Sequence, residues 1–367
     1  MRIALLADYY WPYLESFHSS RREQLEALPF TRHQELLFAD YFGSFISHRN
    51  HFRRIGHESE LFVGNYYPLQ QKWLRERGIP LTAAPETKAD IVIRQLEEFR
   101  PDVFFMGSMF DYYGSFLEKV SRITRNIFAW IACPYPTGLD FSPIRCVLSS
   151  APGYVEAFRK RGLKSEPLKA AFDSEVVRHL DGVEKTIDLS FVGGLSWGTH
   201  RFRMEALERL LGDGNPLQIW GYCHDGGWRG RWRRFWSHNR IASCYRGEVW
   251  GMSMYRTLAQ SRVTLNMHVD VGRANNAGGN MRLYEATGCG ALVISDFAPD
   301  VPEIFQPDRE IVTYRTISEL NEKVHYYRDH RAEAEGIARA GQRACWQRHG
   351  YERRIREFEG IIKRYAA

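Results

Sequence analysis

No run of about 18 consecutive apolar residues occurs in this 367-residue sequence, which excludes a helix able to span a bilayer. The apolar part of the opening MRIALLADYYWP is too short for a secretion signal and reads as a first strand. Cysteine is sparse: the six are scattered with no C-x-x-C pair, which points to reduced thiols in a cytoplasmic protein rather than a disulfide frame or a zinc site. No G-x-G-x-x-G is present, so a dinucleotide is not indicated. No Asp-x-Asp pair is present to hold a divalent ion on a diphosphate. His48 and His51 share a helix face, but without a nearby acid they make a poor metal site. There is no internal repeat or low-complexity tract.

What is present is a chain 44% hydrophobic, long enough for two ordinary cores. Its net charge of +6 suits an anionic ligand such as a nucleotide, an acidic membrane surface or nucleic acid. Apolar runs at 3–7, 60–63, 101–106, 127–132 and 146–149 read as strands. Between them, 33–54, 87–99 and 115–125 have helical spacing, and 152–161 follows as a further helix. After a looser, charged stretch the alternation resumes, with strands at 187–192, 217–220, 263–267, 291–294 and 310–313 and a charged helical tail over 332–365. Strands alternating with helices mean an α/β fold with doubly wound parallel sheets. The divisions expected are 1–175, 176–345 and a terminal helix at 346–367.

The densest signal is RANNAGGNMRLYEATGCGALVISD, residues 273–296. The glycine-rich loop lets backbone approach a ligand, and a helix starting near Asn280 presents free N–H groups and a positive dipole end. Gly288 and Gly290 stop that helix before a buried strand. NMRLYEATGCGALVISD, followed by Pro302-Glu303-Ile304-Phe305, resembles the nucleotide-sugar half of a GT-B glycosyltransferase, and more narrowly the CgeB-like (spore-maturation-type) group. The resemblance covers about the last half of the chain. It implies two Rossmann-like domains facing a central cleft, an acceptor-binding one first and a nucleotide-sugar-binding one second. It also implies that the last helix crosses back to the first domain. Related retaining enzymes flank this loop with two glutamates; Glu285 matches the second, which holds the donor ribose, and Ala277 stands at the first. Gly278, Gly279, Asn280 and Arg282 would then meet the diphosphate.

Other segments add donor candidates. In FVGGLSWGTHRFR (191–203), Gly193 and Gly194 allow close approach to a ligand. Arg201 and Arg203 at a helix start oppose the dipole, so a bound anion would offset them. The resemblance brings this loop to the diphosphate and places Glu248 and Val249 beside the base; Tyr222, after Trp220-Gly221, reads either as a lining residue of the same pocket or as part of a plain turn. His268 follows a strand, as a buried structural histidine or a donor contact.

Catalytic bases are sought at strand ends and in the long aromatic segment 9–25, read as a loop: Asp8, Glu15, His18 and Asp111. His18 is the first choice, since inverting relatives place a histidine or acid in that loop. The Trp- and Arg-rich tract 226–236 reads as a solvated helix face with buried Trp, a lid, or a contact for lipid headgroups. No nucleic-acid-binding signature accompanies it.

The expected activity is metal-independent transfer of a sugar from a UDP- or GDP-sugar to an acceptor hydroxyl on a glycan, a lipid-linked glycan or a protein, with no cofactor. Arginines and helix ends, rather than a metal, would neutralise the leaving diphosphate. A sugar-nucleotide 2-epimerase and a catalytically inactive nucleotide-sugar-binding protein share the fold and stand as alternatives. The location expected is the cytoplasm, with loose contact to the inner face of the membrane.

Overall fold

The computed structural model describes residues 1–79, 88–107, 111–223, 239–270 and 278–366. Loop residues 273–277 (Ala277 included), the tract 226–236 and Phe110 lie outside the described residues. The chain forms two compact units, Met1–Lys169 with Tyr351–Ala367, and Ala170–Gly350. The divisions expected from sequence fell at 175 and 345.

Unit one is a parallel sheet in the order β2-β1-β3-β4-β5-β6. Its strands are β1 (Arg2–Ala7), β2 (Glu58–Val63), β3 (Val103–Met106), β4 (Ile127–Trp130), β5 (Ile144–Ser149) and β6 (Ser165–Pro167). Successive side chains of a strand point to opposite faces. Ala4, Leu6, Phe104 and Met106 accordingly enter one core cluster. On the other side Phe105 stacks on Phe45 at 5.1 Å and meets Phe358 of the terminal helix Tyr351–Tyr365 at 4.6 Å. A Cβ on Gly107 would stand 2.2 Å from the Phe45 ring, so that packing requires glycine.

Unit two is a parallel sheet in the order β11-β10-β9-β7-β8. Here the strands are β7 (Ile187–Val192), β8 (Leu217–Trp220), β9 (Ser261–Asn266), β10 (Leu292–Asp296) and β11 (Val312–Tyr314). Numbered within each unit, the second sheet runs 2-1-3-4-5 and the first runs 2-1-3-4-5-6, so both have a topological switch point at the carboxyl edge between their first and third strands. These are β1/β3 and β7/β9.

Three expectations need correction. Residues 9–25 are not a long loop: they enter the helices Trp11–Ser19 and Arg22–Ala27. Pro12 opens the first helix, and Tyr13, Leu14 and Phe17 are its buried residues. Tyr13 stacks on Phe42 at 3.8 Å, so part of the aromatic content is packing. Residues 33–54 are split into Phe30–Ala39 and Phe45–Arg54 by a turn with positive φ at Tyr41 and Gly43. The tail 332–365 is split at His349–Gly350 into Arg331–Arg348 and Tyr351–Tyr365. The His349 ring there meets Tyr284 and Phe305, and its carbonyl accepts from Phe172 N–H. Among the described residues no helix is long and apolar enough to cross a membrane.

Candidate active site

In unit one, Asp8 follows β1 and Asp111 lies five residues beyond β3, so both stand at the switch point. Lys88, the first residue of the helix Lys88–Phe99, joins them: its Nζ donates to Asp8 Oδ2 at 2.7 Å and Asp111 Oδ2 at 2.8 Å. Tyr112 Oη donates to the other oxygen of Asp8 at 2.9 Å. A Cβ on Gly64, just past β2, would stand 1.9 Å from that hydroxyl, so glycine is what admits the phenol. Burial lowers the Lys88 ammonium, but hydrogen bonds to Asp111 and Asp8 outweigh it and hold the pKa above the ordinary lysine value. Asp8 thus has both oxygens engaged, whereas the Asp111 side chain is 56% exposed.

His18 sits elsewhere in its interactions. Its Nδ1 meets Tyr66 Oη at 2.9 Å, and Nε2 of the buried His33 meets the same oxygen at 3.0 Å. A hydroxyl has one proton, so at most one ring accepts from it and at least one donates to it. Burial, then the Lys72 charge, holds His33 down at about 4. Burial and Arg22 lower His18 as well. Among the described residues neither ring hydrogen-bonds to Asp8 or Asp111.

In unit two, Arg203 closes the switch point. Its guanidinium donates to Gly194 O at 2.6 Å, after β7, and to Met267 O at 2.5 Å, after β9. Burial pulls its pKa down to about 10. Arg203 is therefore a buried tie between strand ends, which corrects its reading as an anion contact. Arg201 is an exposed side chain paired with Glu205 at 2.8 Å, and Asp270 accepts its N–H at 3.1 Å. That carboxylate at the helix start supplies the negative charge for which an anion was inferred.

Gly193 N–H bonds Trp220 O, and Leu195 N–H bonds Tyr222 O, so β7 and β8 keep pairing beyond their ends. A Cβ on Gly221 would lie 1.8 Å from Gly193 O. Gly221 N–H in turn bonds Gly247 O, and Tyr245 Oη bonds Gly221 O at 2.9 Å. This lays segment 245–249 alongside β8. Trp250 then brings two predicted residues together: its ring is 6.2 Å from Tyr222, and its Nε1 donates to Glu248 at 3.3 Å. Val249 is half-buried next to them.

The helix Met281–Gly288 begins as its sequence dictates. Asn280 is the N-cap, its Oδ1 accepting Leu283 N–H at 3.1 Å, while its Nδ2 donates to Asn266 at the end of β9. Gly278 is clamped ahead of it. Its carbonyl faces His268 Nε2 at 2.8 Å, and its N–H donates to Asp300 at 2.7 Å. The other ring nitrogen of His268 is against the Asp296 carboxylate. With acceptors on both nitrogens, the ring donates twice and is an imidazolium. Burial opposes that charge, but the Asp296 carboxylate and the Gly278 carbonyl outweigh it and raise the pKa. A Cβ on Gly278 would sit 2.4 Å from Val301.

The clamp corrects one expectation, because the Gly278 amide is spent on Asp300 and not free for a phosphate. The N–H groups of Gly279, Asn280, Met281 and Arg282 donate to no described residue. Beside them Arg282 NH1 lies 3.1 Å from Glu285 Oε2, yet buried Nε and NH1 make no hydrogen bond among the described residues. Glu285 is buried, and Tyr255 Oη approaches its other oxygen at 3.4 Å. Four amides and a guanidinium at a helix start form an anion cradle. Among the described residues, no three of His, Cys, Asp and Glu are grouped to hold a metal.

Residues 199–360, somewhat under half of the chain, match a family described as Glycosyl transferase-like. A search of curated proteins gives no match. Solved structures resemble the whole chain. HepE of Anabaena in complex with UDP-glucose has a TM-score of 0.60 at 13% identity, over 99% of this chain and 100% of that one. AviGT4, a glycosyltransferase involved in avilamycin A biosynthesis, gives 0.59 at 15%, over 100% and 98%. A glycosyltransferase from Rickettsia africae gives 0.58 at 11%, over 99% and 98%. With its two parallel Rossmann-like sheets, the chain has the GT-B fold.

Proposed function

We propose that this protein is a glycosyltransferase of the hexosyl-transferring kind, moving a sugar from a nucleoside-diphosphate sugar to an acceptor hydroxyl. The observation that carries the reading is the cradle at the start of the helix Met281–Gly288. There, amides that donate to no described residue converge with Arg282 next to a buried glutamate, within the segment that matches the Glycosyl transferase-like family. The first donor to test is a UDP-sugar, because HepE of Anabaena is seen with UDP-glucose. A GDP-sugar comes next. The NMRLYEATGCGALVISD motif supports the CgeB-like group.

In the proposed reaction the bond from the anomeric carbon to the diphosphate breaks, and a bond from the acceptor oxygen forms. Negative charge grows on the departing diphosphate, where Arg282 and the amides of Gly279, Asn280 and Met281 stabilise it without a metal. Glu285 holds the ribose, Gly193 and Gly194 let the backbone approach the diphosphate, and Tyr222, Glu248 and Val249 border the base. Arg201 lends long-range positive charge from the surface.

On the acceptor side Asp111 takes the hydroxyl proton, being the carboxylate at the unit-one switch point with an oxygen to spare. Lys88 and Asp8 position it, and His18 serves the packing around Tyr66. The acceptor is a glycan, free, lipid-linked or on protein, and nucleic acid is not a substrate. Six free thiols support a reducing compartment, the cytoplasm, with loose membrane contact through the basic tract.

The direct test incubates the purified chain with UDP- and GDP-sugars and a panel of glycan acceptors in EDTA, and follows released nucleoside diphosphate together with glycosylated product. Product from one donor supports the reading. Donor binding with neither release nor product, across the panel and with added magnesium or manganese, would make it a nucleotide-sugar-binding protein instead.

A further inference from the structure

At the amino edge of the second sheet, opposite the carboxyl edge that bears the donor cradle, lies a hollow of about 450 Å³. Lys185 stands two residues before β7, and its Nζ donates to Ser261 O at 2.9 Å and Gly290 O at 2.7 Å, where β9 begins and just ahead of β10. An ammonium has three hydrogens, so one is left over. The wall is one face of the helix Arg331–Arg348, where Ala334 and Ala338 leave room that larger side chains would fill. Val263 and Tyr327 add buried apolar surface.

The lining carries five cations, one lysine and four arginines, against three carboxylates, two aspartates and one glutamate. Two of those carboxylates are already taken. Asp188 pairs with Arg262 at 3.2 Å and lies 3.8 Å from Arg331, and Glu335 pairs with Arg339 at 3.4 Å. The third, Asp329, is exposed. Lys185 and Arg328 have no carboxylate partner among the described residues. Among the described residues Arg328 hydrogen-bonds the Asn215 amide oxygen, at 3.5 Å. Burial holds the Lys185 ammonium down at about 8, because its removal from water outweighs the attraction of Glu335, which does not pair with it. The hollow is the size of a metabolite site, with an apolar floor and a positive rim.

We propose that this hollow binds a small phosphate monoester. Its anion meets Lys185 and Arg328, and its body lies over Val263, Ala334 and Ala338. The ligand is distinct from the sugar donor, and the site would exist whatever the chemistry at the opposite edge.

The test is calorimetry on the full chain with glucose 6-phosphate, AMP and inorganic phosphate, repeated on Arg328→Glu, Lys185→Met and, as a donor-site control, Arg282→Ala. Arg328 is half-buried, and a melting curve checks that each variant folds. The expected result is that one of the two esters binds, Arg328→Glu weakens it by about tenfold or more, and Arg282→Ala leaves it unchanged. Three results would overturn the proposal. The first is binding of neither ester. The second is binding that survives Arg328→Glu and Lys185→Met but is lost in Arg282→Ala, which would move it to the donor cradle. The third is inorganic phosphate binding as tightly as either ester.

Discussion

At the switch point of the first sheet two carboxylates surround one ammonium, Asp8 and Asp111 about Lys88. At the equivalent place in the second sheet two cations, Arg203 and the imidazolium of His268, tie down main-chain carbonyls. The cradle beyond them is lined by amides and Arg282. One strand order therefore supports two chemistries: an acidic pair suited to taking a proton, and a donor-rich turn suited to holding an anion. Topology fixes where a ligand site can form, and the residues at the strand ends decide its polarity.

The largest effect expected from breaking this contrast is catalytic. Asp111→Asn keeps the Lys88 hydrogen bond but removes the base, so kcat should fall by about 10²–10³-fold while donor affinity stays the same. Steady-state kinetics with calorimetric donor binding check this, and an unchanged kcat would remove Asp111 from the chemistry.

Next comes the clamp. Gly278→Ala must push a methyl group into Val301 and Asp300, and should cost roughly 1–3 kcal/mol of stability, along with donor affinity. Urea unfolding measures the first and calorimetry the second. A variant as stable as the parent would mean that the loop gives way easily.

The smallest effect is a pH split between the units. Burial, opposed by the Ser44 carbonyl and aided by His51 and Arg354, holds His48 down at about 4, and His33 is similarly low. A histidine with a depressed folded pKa is charged in the unfolded chain first. Its stabilising contribution is therefore lost as pH falls below about 6.5, to the extent of about 2 kcal/mol at pH 5 for His48. His268 has the opposite sign: its pKa is raised, so its contribution is full below about 6.5 and is lost as pH rises through the folded value. Acidification from pH 7 to 5 should loosen unit one before unit two. Hydrogen exchange, corrected for intrinsic rates, should rise first in the helices Phe30–Ala39 and Phe45–Arg54. Earlier opening around Met281–Gly288 would contradict this ordering.

Sequence made the second unit easier to read than the first, for physical reasons. β7 and β8 place an apolar residue at every second position between loops, and their ends at Ile187–Val192 and Leu217–Trp220 match the expected strands. The helix Met281–Gly288 carries its own punctuation in Asn280 and Gly290. Helix breaks at Asp40–Ser44 and His349–Gly350 have no proline to announce them, so helical spacing ran straight through both. The short β6 has little apolar signal, and the helix Tyr67–Glu76 has few apolar residues to bury, Leu69, Trp73 and Leu74. The residues that organise the sites were the least visible. Lys88 is 80 positions from Asp8, and only the fold brings them to one point. The roles of Arg203 and Arg201 were inferred from position along a helix, which cannot say which one turns inward. Asp296 closes the quoted motif but nothing local ties it to His268, and Asp300, which holds Gly278, lies outside that motif.

The central claim is that one unit holds the nucleotide and the other supplies the base. The most direct measurement is calorimetric binding of UDP and GDP to the parent chain, Arg282→Ala and Asp111→Asn, with metal-free buffer throughout. The account predicts that one nucleotide binds the parent and Asp111→Asn equally and binds Arg282→Ala about tenfold or more weakly. Equal binding by all three, or binding lost in Asp111→Asn and kept in Arg282→Ala, would contradict it.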